Sequence, residues 1–166
     1  MSLDAAPAMG FDPAQIEIRR LRETDLDSVL RIAEALEDAP HWPRQFYLEA
    51  LSAEAARPRV ALVASNPGSA EVVGFAIAGL IPPEAELESI AVAGEAQRRG
   101  VGRQLFTALA GELRRTGIED LLLEVRSSNH AAIQFYRSQN FKQTGVRQRY
   151  YTDPKEDAVL MSVRLA

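Results

Sequence analysis

The chain has 166 residues, 46% of them hydrophobic and 25% charged, with a formal net charge of −4, the profile of one globular domain with enough apolar mass to bury its own core. Its lack of cysteine excludes disulfides, thiolate metal sites and a cysteine nucleophile, and two histidines, His41 and His130, give no basis for a multi-histidine metal centre. The negative balance argues against nucleic acid as a partner and no apolar run approaches the roughly 18 residues of a membrane helix, so a cytoplasmic protein with no membrane and no metal is expected.

Residues 1–15 (MSLDAAPAMGFDPAQ) lack the basic start and apolar stretch of a signal peptide and are expected to form a flexible tail ahead of a single domain over 16–166. Ile16 to Leu21 alternates like a strand. Thr24 with Asp27 resembles a helix-capping pair, and Leu26, Val29, Leu30, Ala33 and Leu36 fall on one face of the helix that follows. The breakers Ala39-Pro40-His41-Trp42-Pro43 end it, and Pro43 opens a second short helix through Leu51. Arg59 to Ser65 and Val72 to Ile81 are β-rich runs separated by the turn Asn66-Pro67-Gly68-Ser69, and read as a hairpin. Glu86 to Val92 is a further strand. Gly100 to Arg115 is an amphipathic helix with basic residues in its last turn and Gly117 as terminator. Ile118 to Arg126 is a continuous apolar run of the kind found in buried strands, Asn129 to Ser138 is a short helix, and Phe141 to Tyr150 pairs with Asp157 to Leu165 around Thr152-Asp153-Pro154. This order predicts an α/β or α+β domain built on one sheet.

The chemistry concentrates in Leu87-Glu88-Ser89-Ile90-Ala91-Val92 and, after a short loop, Gln97-Arg98-Arg99-Gly100-Val101-Gly102-Arg103 at the head of a helix. A strand that runs through glycines into a helix N-terminus presents backbone N–H groups with no intrahelical partner. An anion placed there gains those hydrogen bonds and about 0.3–1 kcal/mol per charge from the helix dipole. A lone G-x-G is most often a tight turn. Here no Gly-Lys-Ser/Thr follows, which excludes a Walker loop, and no third glycine stands three residues on, which excludes a dinucleotide fingerprint. The segment resembles the Q/R-x-x-G-x-G/A acetyl-CoA signature of the GNAT N-acetyltransferase superfamily. Leu123-Glu124-Val125-Arg126-Ser127-Ser128-Asn129, then Ala131 to Tyr136 and Phe141, resembles the second half of that core. Arg149-Tyr150-Tyr151 with Glu156-Asp157-Ala158 is similar to its bacterial ribosomal-protein-alanine N-acetyltransferase branch. Asn140 stands where the family has glycine before Phe141, and asparagine is the next best residue for a left-handed turn.

The resemblance implies a GNAT fold: a mixed, mostly antiparallel seven-stranded sheet flanked by helices, with the fourth and fifth strands splayed. It also implies acetyl-CoA as co-substrate, with backbone groups of Ile90, Ala91 and Val92 meeting the pantetheine arm and thioester, and Arg98, Arg99, Gly100, Val101, Gly102 and Arg103 holding the pyrophosphate. Asn129 would bond the cofactor or simply cap its helix. Glu124 is the implied general base and Tyr136 the general acid, in direct transfer without an acyl-enzyme. The chemistry agrees, since an α-amine with a pKa of about 7.7–8.0 must lose a proton before it attacks. Competing roles are an exposed carboxylate paired with Arg126 for Glu124 and a core aromatic for Tyr136; Glu88 is a reserve base. His41 and Trp42 either border the acceptor or pack on the nearest helix, and Tyr150 and Tyr151 either shape the acceptor site or pack on the sheet. The expected acceptor is the N-terminal amine of a protein or peptide. The alternatives are a small amine, or a non-catalytic acyl-CoA-binding module.

Overall fold

The computed structural model describes residues 12–165. In chain order they form β1 (Glu17–Arg20), α1 (Leu26–Ala35), α2 (Arg44–Leu51), β2 (Arg59–Asn66), β3 (Glu71–Ile81), β4 (Glu84–Val92), α3 (Val101–Arg115), β5 (Asp120–Arg126), α4 (His130–Ser138), β6 (Lys142–Thr152) and β7 (Lys155–Arg164). This is the order the sequence predicts. Of the N-terminal stretch expected to be a tail, residues 1–11 lie outside the described residues. Pro13–Gln15 form a 3-10 turn whose Pro13 carbonyl accepts from Gln104 Nε2 at 2.9 Å.

Two local expectations are corrected. Thr24 and Asp27 do not cap α1. A 3-10 turn, Glu23–Asp25, leads into that helix, and the Asp25 side chain closes this turn by accepting from the Arg22 amide at 2.8 Å while making no capping bond to α1 itself. The fifth strand starts at Asp120 rather than Ile118, because Gly117 turns at φ +83° and the Ile118 amide donates back to the Leu113 carbonyl of α3. Ile118 is thereby spent in closing the helix.

The seven strands lie in the order β1-β2-β3-β4-β5-β7-β6. Every neighbouring pair is antiparallel except β4 and β5, which pair in parallel only where Glu84, Ala85 and Glu86 face Asp120, Leu121 and Leu122. Beyond Glu86 and Leu122 the two strands part. On one face α3 and α4 cover a core that includes Leu105, Leu109, Leu113, Leu121 and Leu123; on the other, α1 and α2 cover Val63, Phe75 and Ile77 with Leu26, Val29 and Tyr47. The second core takes nothing from β5. That strand accordingly alternates, with Leu121, Leu123 and Val125 buried and Leu122, Glu124 and Arg126 part-exposed, instead of being buried on both faces as its apolar run suggested. No described helix is long and apolar enough to cross a membrane.

A bulge in β4 prepares the site. Ile77 faces Ser89 while Ala78 faces Leu87, so Glu88 is the extra residue. Ala85 and Leu87, before it, belong to the α3 core. After it the pleat has switched: Ala91 joins the α1–α2 core, and Ile90 and Val92 turn towards α3.

Where β1 meets α1, a buried ion pair joins the two. Asp25, with 6% of its side chain exposed, accepts both fork nitrogens of Arg19 at 2.8 Å as well as the Arg22 amide. Burial alone would raise the Asp25 carboxyl, but these bonds outweigh it and hold it below its ordinary value. Removing one partner of such a pair typically costs about 3–5 kcal/mol, and Asp25→Ala is expected to fall in that range by urea denaturation. Because the folded pKa is depressed, this stabilisation is fully present above the unfolded value of about 3.9 and is lost as pH falls through the folded one. The gap between wild type and variant should therefore close in acid; a constant gap would show that the Asp25 charge contributes nothing.

Candidate functional site

The end of β4 and the head of α3 build one wall of a large cleft. After the 3-10 turn Gly94–Ala96, Gln97 reaches back and donates from Nε2 to the Val92 carbonyl at 2.9 Å. Arg98 at φ +61° and Gly100 at φ +84° then reverse the chain so that α3 starts at Val101. Glycine takes that conformation freely, whereas Arg98 stores strain of the kind that clusters at ligand-binding turns. The first bond of α3 runs from the Gln104 amide to the Gly100 carbonyl, which leaves the amides of Val101, Gly102 and Arg103 without intrahelical acceptors. A Cβ on Gly102 would stand 3.4 Å from the Phe135 ring, so its absence lets α4 close against α3.

The cleft between them has a volume of about 1140 Å³, and Ile90, Val92, Arg98, Gly100, Gly102, Arg103 and Tyr136 line it. Those predicted residues are brought together; others are not. Val101 is 1% exposed and points into the core, leaving only its amide to offer. Ala91 is buried on the opposite face, a consequence of the bulge. The Ala93 amide bonds to the Val73 carbonyl, and alternation along the antiparallel ladder puts the polar groups of Ala91 on β3 and those of Ile90 and Val92 on the side that β5 has vacated. Arg99 is exposed and outside the lining. Asn129 accepts from the Ala132 amide at 3.2 Å, the capping alternative considered for it.

Tyr136 lies on α4 between the rings of Phe135 and Phe141, with centroids 5.6 and 5.5 Å away, and its hydroxyl makes no hydrogen bond among the described residues. Burial, with a smaller contribution from Tyr151, pushes its pKa up to about 12. At neutral pH it is a phenol with a proton to give.

Glu124 does not line this cleft. It projects from the other face of β5 into a second cleft of about 240 Å³, shared with Ile81, Glu84, Glu86, Arg147 and Leu160. Its charged neighbour is Arg147 at 3.5 Å, not Arg126, which lies over the Tyr151 ring at 4.2 Å and bonds Glu156. The Tyr150 hydroxyl approaches the Glu124 carboxylate, which raises the Tyr150 pKa; Tyr151 is raised by burial first and by Glu124 second. Tyr151, raised in part by Glu124, in turn contributes to the rise of Tyr136. Glu88 sits on the bulge with its side chain 9% exposed and is bound by Arg59 at 3.0 and 3.4 Å, so the reserve base is already committed to a cation. His41 bonds the Leu36 carbonyl, and Trp42 packs on Phe46 with ring centroids 4.0 Å apart, the helix-packing alternative of the two.

The Glu156-Asp157 pair, which sequence marked only through a resemblance, has a clear mechanical role. Glu156 accepts from the Ser128 amide, Ser127 Oγ and Arg126, and these bonds, Ser128 first, hold its carboxyl below the ordinary range. Asp157 accepts the Arg149 amide on its carboxylate at 2.8 Å and the Ser127 amide on its carbonyl at 3.1 Å. One dipeptide therefore fixes both the turn before α4 and a bulge in β6 where Arg149 has φ +54°. Arg147, opposite Ala158 on the far side of that bulge, reaches Glu124 across β7. Sequence reasoning missed Arg147 because nothing local pairs it with Glu124, which lies two strands away across β7.

Residues 26–141 match the family model described as Acetyltransferase (GNAT) family. The [ribosomal protein bS18]-alanine N-acetyltransferase of Escherichia coli (strain K12) is 42% identical over 98 residues, which are 58% of this chain and 66% of that protein, just under two thirds of its length. A crystal structure of the ribosomal-protein-S18-alanine N-acetyltransferase from Escherichia coli is similar with a TM-score of 0.78 at 33% identity, covering 91% of this chain and 94% of the other. A crystal structure of a ribosomal-protein-alanine N-acetyltransferase from Brucella melitensis has a TM-score of 0.74 at 27% identity, with 89% and 99% covered.

The geometry of the α3 head makes Gly100 the informative position. A Cβ there would meet nothing within 4 Å, yet φ +84° is closed to a β-branched residue. Gly100→Val should keep the fold, seen by circular dichroism, while turning the α3 amides away from the cleft. Calorimetry is expected to show acetyl-CoA affinity reduced by about tenfold or more, since left-handed backbone costs a non-glycine residue roughly 1–2 kcal/mol and the amides lose their aim. Unchanged affinity in the folded variant would remove this segment from the binding site.

Proposed function

The chain belongs to the GNAT acetyltransferase family, and from that membership we propose that it is an acetyl-CoA-dependent N-acetyltransferase acting by direct attack of a primary amine, with the N-terminal α-amine of a protein or peptide as acceptor. The observation that carries this reading is the opening between β4 and β5, with a cleft of about 1140 Å³ under basic residues and orphan amides on one face and a carboxylate with two tyrosines on the other.

The α3 amides, the bare Cα of Gly102 and the charges of Arg98 and Arg103 suit a pyrophosphate, and the channel past Ile90 and Val92 suits an extended arm. Acetyl-CoA supplies the activated acyl group as a thioester. Backbone N–H groups of the freed edge of β4 face the place where that carbonyl oxygen would gain negative charge, and they need no reorganisation to stabilise it. Glu124 takes a proton at its carboxylate from the incoming ammonium, directly or through water. Tyr136 gives one from its hydroxyl to the departing sulfur, a task that its raised pKa suits. Arg98, Arg99, Gly100, Val101, Gly102, Arg103, Ile90, Val92 and Asn129 are proposed to hold the co-substrate, Val101 through its amide and Asn129 by setting the start of α4. Ala91 drops from the set.

The names of the Escherichia coli and Brucella melitensis relatives, both ribosomal-protein-alanine N-acetyltransferases, support an alanine-initiated ribosomal protein as the first acceptor to try, and with it a cytoplasmic location. A second reading, a small cationic amine, is favoured by the carboxylates Glu84, Glu86 and Glu124 around the second cleft. Mass spectrometry of a panel of peptides and small amines incubated with acetyl-CoA distinguishes them. An alanine- or serine-initiated peptide is expected to outrun free lysine and spermidine; small amines outrunning every peptide would reverse the assignment.

The two proposed proton-transfer groups should separate by pH. A positioned general catalyst contributes about 10²–10⁴-fold. Glu124→Gln is expected to lose activity in that range near neutrality and to recover in alkali, where the amine is already neutral. Tyr136→Phe is expected to lose less, because thiolate is a tolerable leaving group, and alkali should not rescue it. Steady-state rates from about pH 6 to pH 10 decide the matter against the reference amine pKa. Wild-type rates for Glu124→Gln throughout would dismiss Glu124 as the base.

A further inference from the structure

The cleft that holds Glu124 has a charge balance set by one side chain. Its lining includes Glu84, Glu86 and Glu124, and Arg147 is the one cation among the lining residues. Glu86 is already paired with Arg57 at 2.9 Å, which leaves Arg147 facing Glu124 at 3.5 Å with Glu84 further along. Arg147 is 57% exposed, and its guanidinium lies 5.4 Å from the centre of the Tyr150 ring, whose hydroxyl approaches the same carboxylate. The register of β6 passes from Arg147 opposite Ala158 to Tyr151 opposite Glu156, and the Asp157 carboxylate holds the Arg149 amide in the bulge between them. A long, solvated ion pair is weak and exchangeable. A guanidinium, unlike an amine, keeps its charge at every working pH and has donors only.

We propose that Arg147 determines acceptor specificity: it is a displaceable, permanently charged guard on Glu124 that admits an amine with neutral polar groups behind it and turns away an amine with a second cation close behind the first. The proposal rests on the reading of Glu124 as the group that meets the amine. An incoming α-ammonium takes Arg147's place at the carboxylate. The displaced guanidinium then needs an acceptor, and the carbonyls that follow a peptide α-amine supply one. A polyamine brings a second ammonium to the same place, where it meets a like charge. Without Arg147 the lining would keep three carboxylates, only one of them paired with Arg57, and would suit the polyamine.

The test compares kcat/KM for spermidine with kcat/KM for an alanine-initiated peptide in wild type, Arg147→Lys, Arg147→Gln and Arg147→Glu. Removing the charge in Arg147→Gln should raise the spermidine-to-peptide ratio on the order of tenfold, mainly through KM, and Arg147→Glu should raise it further. Arg147→Lys keeps the charge and should keep the wild-type ratio. Because the effect is electrostatic and exposed, about 0.5 M salt should shrink the differences between the variants, which a packing defect would not do. A ratio unchanged in both Arg147→Gln and Arg147→Glu overturns the proposal, including the case where both acceptors decline together. A wild-type protein that acetylates neither acceptor overturns the underlying reading and this proposal with it.

Discussion

Everything functional in this fold depends on how briefly β4 and β5 are joined. Their parallel pairing ends at Glu86 and Leu122, yet β4 continues to Val92 and β5 to Arg126. Each of the parted strands is held by its antiparallel partner, β3 for β4 and β7 for β5, so the gap costs no loss of sheet on the outer sides. Two consequences follow from the same break. The inner edge of β4 keeps backbone groups that a ladder would have consumed, and two faces of one sheet gain a passage between them. A continuous seven-stranded sheet would have separated Tyr136 and Glu124 completely.

The acidic side chains near that passage differ in how firmly they are bound. Glu88 is held by a nearly buried arginine, Glu86 by Arg57 and Glu156 by an amide, a hydroxyl and a guanidinium. These are structural anions: Glu88 ties β4 to β2 and Glu86 ties it to the segment before β2, with the bare Gly79 beneath them making room, and Glu156 ties β7 to the head of α4. Among the described residues Glu124 has a long contact to an exposed arginine and the approach of a tyrosine hydroxyl. Of these four carboxylates, Glu124 is the one left free to exchange partners. The Tyr136 hydroxyl likewise faces the large cleft with no hydrogen-bonded partner among the described residues.

Much of this was legible in the amino-acid order. The helices declare themselves through apolar spacing and terminators such as Gly117, and the glycine-bearing segment from Gln97 to Arg103 marks the head of α3 without help from the fold. Asn140 takes the left-handed conformation, φ +71°, that its position before Phe141 demanded. What could not be read depends on contacts between distant residues. The bulge at Glu88 inverts which of Ile90 and Ala91 faces the cleft, and it exists because Arg59 and Gly79, on other strands, accommodate the displaced carboxylate. At the start of α1 the Asp25 carboxylate is committed to Arg19 of β1 and to the Arg22 amide, so the local Thr24–Asp27 pattern gives way to a tertiary contact. Arg147 reaches Glu124 from two strands away, across β7.

The Glu156-Asp157 clamp also orders events in time. As the chain is synthesised from its N-terminus, β5 emerges when its partner on one side offers only the short segment Glu84 to Glu86, and its long partner β7, which pairs it from Asp120 with Arg164 to Arg126 with Ala158, does not yet exist. The turn before α4 is likewise unsupported until Glu156 appears. A nascent chain that has reached Phe141 contains every residue lining the large cleft but lacks the parts that hold α4 and the tyrosines in place. The site is therefore completed last, by a hairpin that lines little of that cleft, and such long-range pairing is the slow kind. Competence thus requires the β6–β7 hairpin to be in place against β5 and α4.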